Sequence, residues 1–226
     1  MEKFNPDVFT IMQNKLARNH TGLKSLLKNE NTGNTRIYDF NTSNEITNIG
    51  KEEVDIVITS PPYGDSRTTV AYGQFSRLSN EWLGFKEANQ VDSCLMGGKI
   101  HNRIINFDCK LLNEKIEKIY NIENKRAKEV SAFYYDYNNS IKNTAATIKS
   151  GGFACYVVGN RKVKGETLPT DEITKTFFKQ HNFHHIETII RNIPNKRMPS
   201  KNSPSNISGM TDTTMNNEYI VIMQKQ

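Results

Sequence analysis

Cysteine is scarce: Cys94, Cys109 and Cys155 are odd in number and share no metal-ligand spacing. They read as reduced thiols of a cytoplasmic protein, and no metal is expected. Long hydrophobic runs are missing too. No segment approaches the length of a membrane span, and Met1-Glu2-Lys3-Phe4 lacks the charged-then-apolar layout of a signal peptide. Internal repeats and low-complexity tracts are absent. Acid is missing between Arg191 and Lys201, a stretch that carries Arg191, Lys196, Arg197 and Lys201. With a net charge of +6 and a pI near 9.1, that segment suits a polyanionic partner.

What is present suffices for a single domain with one sizeable core in 226 residues. Asn5-Pro6 opens a first helix, interrupted at Gly22, and Arg36–Phe40 reads as a short strand. Val54–Thr59 is apolar without alternation, which predicts a buried parallel strand. From about 64 to 123 the pattern is irregular and reads as an inserted lobe. A helix is predicted over 125–149, stopped by Gly151-Gly152, with a strand over 153–158. Thr170 caps a further helix to His181, and strands over 185–191 and 218–224 close the chain. Strand and helix alternate, so an open α/β sheet is expected, with its ligands at the carboxyl ends of the strands.

Ser60-Pro61-Pro62-Tyr63 follows Val54–Thr59 at such an end. By chance a string of this kind arises in about one chain of this size in several hundred. Two prolines could simply stiffen a turn, but the position after a buried strand favours chemistry. The string resembles the signature of enzymes that methylate amino groups of DNA bases, and the chemistry this resemblance implies is demanding. An exocyclic amine on a nucleobase is a poor nucleophile, because its lone pair is delocalised into the ring. Acceptors aimed at its hydrogens, the Ser60 hydroxyl and the main-chain carbonyl after it, would draw the nitrogen toward tetrahedral geometry. Prolines have no N–H and leave this loop rich in carbonyls. Tyr63 offers a face on which a flipped base can stack. There is no Pro-Cys pair, so the cysteine-nucleophile route of C5-cytosine methylation lacks its nucleophile.

Thr59 to Gly64 resembles the signature of the amino-methylating DNA methyltransferases that make N4-methylcytosine or N6-methyladenine. Further likenesses follow in order. Asp39 matches the acid that the family carries near the cofactor adenine. Ser150-Gly151-Gly152-Phe153 with Val157-Val158-Gly159-Asn160 is similar to its later Gly-Gly strand, and Glu218–Ile222 to its closing strand. Together they cover the chain from about Asp39 onward. The resemblance implies an S-adenosylmethionine-dependent enzyme of a restriction-modification system, with the class I, Rossmann-like methyltransferase fold. Ser60, Pro61, Pro62 and Tyr63 would be catalytic, and Asp39, Thr59 and Ser60 would touch the cofactor. Arg67, Thr68, Tyr72, Arg77, Arg191, Lys196, Arg197, Lys201 and Asn202 would meet DNA. Ser at the first motif position leans toward cytosine N4, with adenine N6 the alternative. Guanine-N2 RNA methyltransferases and a non-catalytic specificity subunit are the other readings.

One departure matters. The family's Phe-x-Gly-x-Gly cofactor loop is missing, and where Phe4-Asn5-Pro6 resembles the tail of a second motif, Lys3 replaces its acid. In a sheet ordered 3-2-1-4-5-7-6, the strands found here correspond to 3, 4, 5, 6 and 7. Strands 1 and 2 are therefore expected from a second polypeptide, which would bring the cofactor loop and complete a split enzyme.

Overall fold

A computed structural model of the chain describes residues 6–28, 33–64, 72–192, 201–202, 212–213 and 217–226. It divides into two compact units, Met1–Asp39 and Phe40–Gln226. The first holds α1 (Val8–Leu27), capped by Asp7, whose carboxylate accepts from the Thr10 amide at 3.1 Å. The helix runs through Gly22 without a break, since one glycine costs only about 1 kcal/mol within a helix. The cap differs from the expected Asn5, which lies outside the described residues. Arg36–Phe40 forms no strand, because no neighbouring strand is there to pair with it among the described residues.

The second unit is built on a four-stranded sheet of β1 (Val54–Thr59), β2 (Ile148–Val158), β5 (Phe183–Asn192) and β8 (Asn217–Lys225), in the order β1-β2-β8-β5. β1 and β2 are parallel, while β8 runs antiparallel to both β2 and β5. Two small ribbons accompany it, β3 (Lys162–Val163) with β4 (Glu166–Thr167) and β6 (Lys201–Asn202) with β7 (Asp212–Thr213). Between β1 and β2 lie α2 (Tyr72–Trp82), α3 (Val91–Cys94), α4 (Lys110–Ile122) and α5 (Asn124–Thr147). The stretch expected to be irregular thus carries three helices. α6 (Thr170–Lys179) joins the β3–β4 ribbon to β5.

Helices α4, α5 and α6 form a layer on one sheet face, with α5 against β2 and α6 against β5 and β8. The core between them holds Leu112, Ile116, Ile119, Val130, Ala154, Phe177, Phe178, Val221 and Met223, all buried. Two tyrosines of α5 bring hydroxyls into this layer and find partners on α6. Tyr134 bonds Thr170 at 2.9 Å and Tyr137 bonds Thr174 at 2.7 Å, so neither phenol is left unsatisfied. Thr170 is therefore spent on Tyr134 inside the helix; the cap position belongs to Pro169.

Gly151-Gly152 does not stop α5, which ends at Thr147 and passes directly into β2. Both glycines sit inside the strand. A Cβ on Gly152 would lie 2.9 Å from the Asp55 carbonyl, so the absence of a side chain is what allows β1 to approach.

The other sheet face is open. Ile58, Cys155 and Ile222 are cross-strand neighbours, as are Val157, Ile220 and Ile189, and they form one apolar surface. On β1, Ile56 is 50% and Ile58 73% exposed, against the expectation of a buried strand. The reason is physical: among the described residues nothing covers this face, and no strand pairs with the outer edge of β1.

Candidate active site

Parallel strands β1 and β2 point their carboxyl ends the same way, and antiparallel β8 begins at that same rim, Tyr219 opposite Val158. Side chains from three strands can therefore converge there. Ser60-Pro61-Pro62-Tyr63 leaves the end of β1, with Ser60 exposed, both prolines and Tyr63 half-buried, and Gly64 buried. The prolines fix φ and withdraw two N–H donors, so the loop holds its shape without backbone ladder bonds.

Tyr63 crosses the end of β2 and donates its phenolic hydrogen to Glu218 Oε1 at 2.8 Å. Ser60 Oγ donates in turn to the Tyr63 oxygen, over a long 3.4 Å. Glu218 Oε2 accepts from Arg191 Nε at 2.9 Å and from an Arg191 terminal nitrogen. Register supports the pair, since Arg191 on β5 lies directly opposite Glu218 on β8. The Glu218 side chain is 12% exposed and Arg191 61%, so the ion pair is wet on one side and dry on the other. Desolvation pushes the Glu218 carboxyl up, but the hydrogen bonds from Arg191 and Tyr63 outweigh it and hold it below its usual range. Burial, the largest cause, raises the Tyr63 phenol, and the Glu218 charge adds to it.

Beside the tetrapeptide opens a cavity of about 400 Å³. Its lining is apolar at Phe40, Ile46, Ile49, Val57, Pro61 and Met96, and it also includes the hydroxyl-bearing Thr42, Thr59, Ser60, Ser140 and Thr144. The segment that forms the outer wall is tied to α5. Thr42 bonds Ser140 at 2.7 Å, and the Asn143 amide donates to the carbonyls of Thr42 and Asn44 at 3.0 and 2.6 Å. At the end of β2, Asn160 is held by the α6 N-terminus, accepting from the Asp171 amide at 3.2 Å.

The residues expected from sequence fall in several places. Thr59, Ser60, Pro61 and Pro62 line the cavity, and Tyr63 sits next to them. Asp39 ends the other unit, exposed and outside any strand. Arg191, expected on DNA, is paired with Glu218. Arg77 lies exposed on α2 and pairs with Glu81 at 3.2 Å. Tyr72 opens α2, while Lys201 and Asn202 form β6. Arg67, Thr68, Lys196 and Arg197 lie outside the described residues, as does Lys3. Glu218 was not anticipated as part of the site. Its one signal was an acid at the very start of an apolar strand, on the rim where ligands of such sheets bind. Among the described residues no group of three or more His, Cys, Asp or Glu could hold a metal ion, and no helix is long and apolar enough to cross a membrane.

No protein-family model matches the chain. Among solved structures it aligns with a candidate DNA modification methylase of Thermus thermophilus, TTHA0409, at 15% identity and a TM-score of 0.43, over 85% of this chain and 54% of that one. The same protein complexed with S-adenosyl-L-methionine aligns at 16% identity and a TM-score of 0.37, over 79% and 50% of the two chains. Far stronger is the match to the type II methyltransferase M.MvaI of Kocuria varians, 42% identical over 240 residues and 99% of this chain. That match takes in 53% of M.MvaI, so the chain spans about half the length of this relative. That likeness runs through nearly the whole of this chain, and it is a likeness to about half of a type II methyltransferase.

Proposed function

We propose that this chain is the tetrapeptide-bearing half of an S-adenosylmethionine-dependent DNA methyltransferase acting on an exocyclic amino group, cytosine N4, in a restriction-modification system. The observation that carries the reading is Ser60-Pro61-Pro62-Tyr63 on the carboxyl rim of parallel strands, beside a cavity of ligand size, in a chain homologous to M.MvaI over nearly its whole length.

S-adenosylmethionine supplies the methyl group when bound. The cavity fits one end of it: apolar walls suit a flat adenine ring, and the hydroxyl-bearing Thr59 and Ser60 belong to the lining. The charged end finds no carboxylate and no Gly-rich loop among the described lining residues. We therefore assign that end to polypeptide outside this chain, carrying the strands that would extend the sheet beyond β1. The residues present do the rest of the work. Ser60 and the carbonyl of Pro61 accept the hydrogens of the amino group, and the Tyr63 ring receives the flipped base. Lys196, Arg197 and Lys201 supply cations for the DNA backbone. Transfer then needs only in-line positioning, without a covalent bond to the enzyme.

The test is to combine the chain with its complement, methylate DNA with labelled cofactor and digest the product to nucleosides. N4-methylcytosine is the expected product. Label in N6-methyladenine would overturn the choice of base, and label in RNA alone would overturn the substrate class.

A further inference from the structure

The four groups Ser60, Tyr63, Glu218 and Arg191 form a chain of hydrogen bonds that starts at the tetrapeptide and ends on the last two strands of the sheet. Its members differ in what they are able to do. An ionised carboxylate only accepts, and a guanidinium only donates. Hydroxyls do either, so their direction is set by their neighbours. Arg191 donating to Oε2 leaves Glu218 Oε1 as an acceptor, and Tyr63 must point its hydrogen there. The Tyr63 oxygen is then left with lone pairs, which receive the hydrogen of Ser60.

We propose that Glu218 is a positioning residue that fixes the polarity of this chain, so that the Ser60 oxygen presents only lone pairs to the incoming amino group. This deepens the proposed function and rests on it. An amino nitrogen offers hydrogens, so the group that activates it has to be an acceptor. A freely rotating serine would present its own hydrogen part of the time, and would then repel the amine it should draw in. The same bond restrains where the Tyr63 ring lies, because a phenol held at its oxygen by a strand side chain cannot swing to another χ1 rotamer without breaking it. Burial supports the arrangement. Glu218 lies on the dry side of its ion pair, where hydrogen bonds to a charged group are strong and water competes poorly.

The experiment compares Glu218→Gln, Tyr63→Phe and the double variant with the wild type, each assembled with its complement and assayed for methyl transfer to DNA. Glutamine is isosteric and its amide can donate to Tyr63, which removes the fixed direction while keeping the packing. Glu218→Gln is expected to lower kcat by about 10- to 100-fold, with KM for DNA unchanged. Tyr63→Phe is expected to do the same, and the double variant to be no worse than either alone, as for residues that act as one unit. Circular dichroism and thermal unfolding confirm that each variant is folded. A Glu218→Gln enzyme with wild-type kcat, a loss confined to KM, or losses that multiply in the double variant would each overturn the inference while leaving the proposed function intact. A wild-type assembly that methylates no nucleic acid would overturn both.

Discussion

Ser60 is exposed at the end of β1, and its hydroxyl carries no structural duty beyond a long bond to Tyr63. Removing it should leave the fold alone and strike only chemistry. Ser60→Ala is expected to retain the wild-type circular dichroism spectrum and melting curve, and to lose about 100- to 1000-fold in methyl transfer, as the loss of one preorganised polar contact does. Tyr63→Ala removes both the stacking face and the link to Glu218, and should lose at least as much. Near-wild-type turnover in the combined variant would remove the tetrapeptide from the mechanism. Glu218 shows the limit of reading residues singly. Its importance comes from cross-strand register with Arg191 and from a tyrosine 155 positions away, and neither relation is written in local sequence.

At the scale of elements, Gly152 lets β1 and β2 pair closely where their register shifts between Val54 and Ile56. A methyl group there meets the Asp55 carbonyl at 2.9 Å and the Lys149 carbonyl at 3.0 Å, backbone atoms that cannot swing aside. Gly152→Ala should therefore cost about 1–3 kcal/mol, the usual range for overpacking, read as a lower urea midpoint with an unchanged slope. An unshifted midpoint would show that β1 has room to move. The α5 tyrosines, with Tyr156 of β2, make a second prediction. Burial pushes Tyr134 and Tyr156 up to about 12 from 10.0, and Tyr137 moves the same way. Above pH 10 the unfolded chain releases protons that the native state keeps, so stability falls as pH rises from about 10 toward 12. Each of the two should remove on the order of 2–3 kcal/mol by the end of that window. Urea unfolding at neutral and alkaline pH measures the loss, and Tyr134→Phe should blunt it; midpoints that do not move would refute it.

These elements also show why some of the fold was legible and some was not. Val54–Thr59 and the last strand, over 218–224, announce themselves as largely apolar runs, and the structure has these and the strand over 185–191 within a few residues of where the sequence puts them. Arg36–Phe40 looks equally strand-like, yet a strand exists only if another pairs with it, and no local pattern reports that. The exposure of Ile56 and Ile58 has the same cause, because burial depends on a covering layer that the run itself does not specify. α4 was legible and missed: Leu112, Ile116 and Ile119 recur at helical spacing, but in polar surroundings that read as loop. Of the candidate site, the tetrapeptide stands out by its resemblance to a family signature and its place after an apolar strand, whereas the outer wall at Phe40, Ile46 and Ile49 is fixed by bonds to α5 from about a hundred residues away.

The whole molecule is defined by what its sheet leaves open. Among the described residues no strand pairs with the outer edge of β1, and behind it Ile56, Ile58, Val157, Ile220 and Ile222 form an apolar face that extends to Ile189 on β5. Such an edge is a template for pairing, and an exposed apolar face of this extent marks an interaction surface. If the polypeptide proposed to complete the sheet corresponds to the rest of M.MvaI, its size is nearly that of this chain again. Completing the sheet would bury edge and face together, so the interface should be large and obligate. The chain by itself should accordingly self-associate in sedimentation, and the complement should return it to a defined stoichiometry. Cofactor binding follows the same logic. Among the described residues the cavity offers apolar walls and hydroxyls but no charged partner for the amino-acid end of S-adenosylmethionine, and without those contacts the remaining burial of one ring is too little to offset the loss of free motion on binding. Calorimetric titration of the 226-residue chain alone should therefore give no measurable heat of binding at micromolar protein, while the completed assembly should give a saturable isotherm of one cofactor per site. Tight binding by the lone, monomeric chain would mean that its own residues hold the charged end, and the assignment of that end to outside polypeptide would fall.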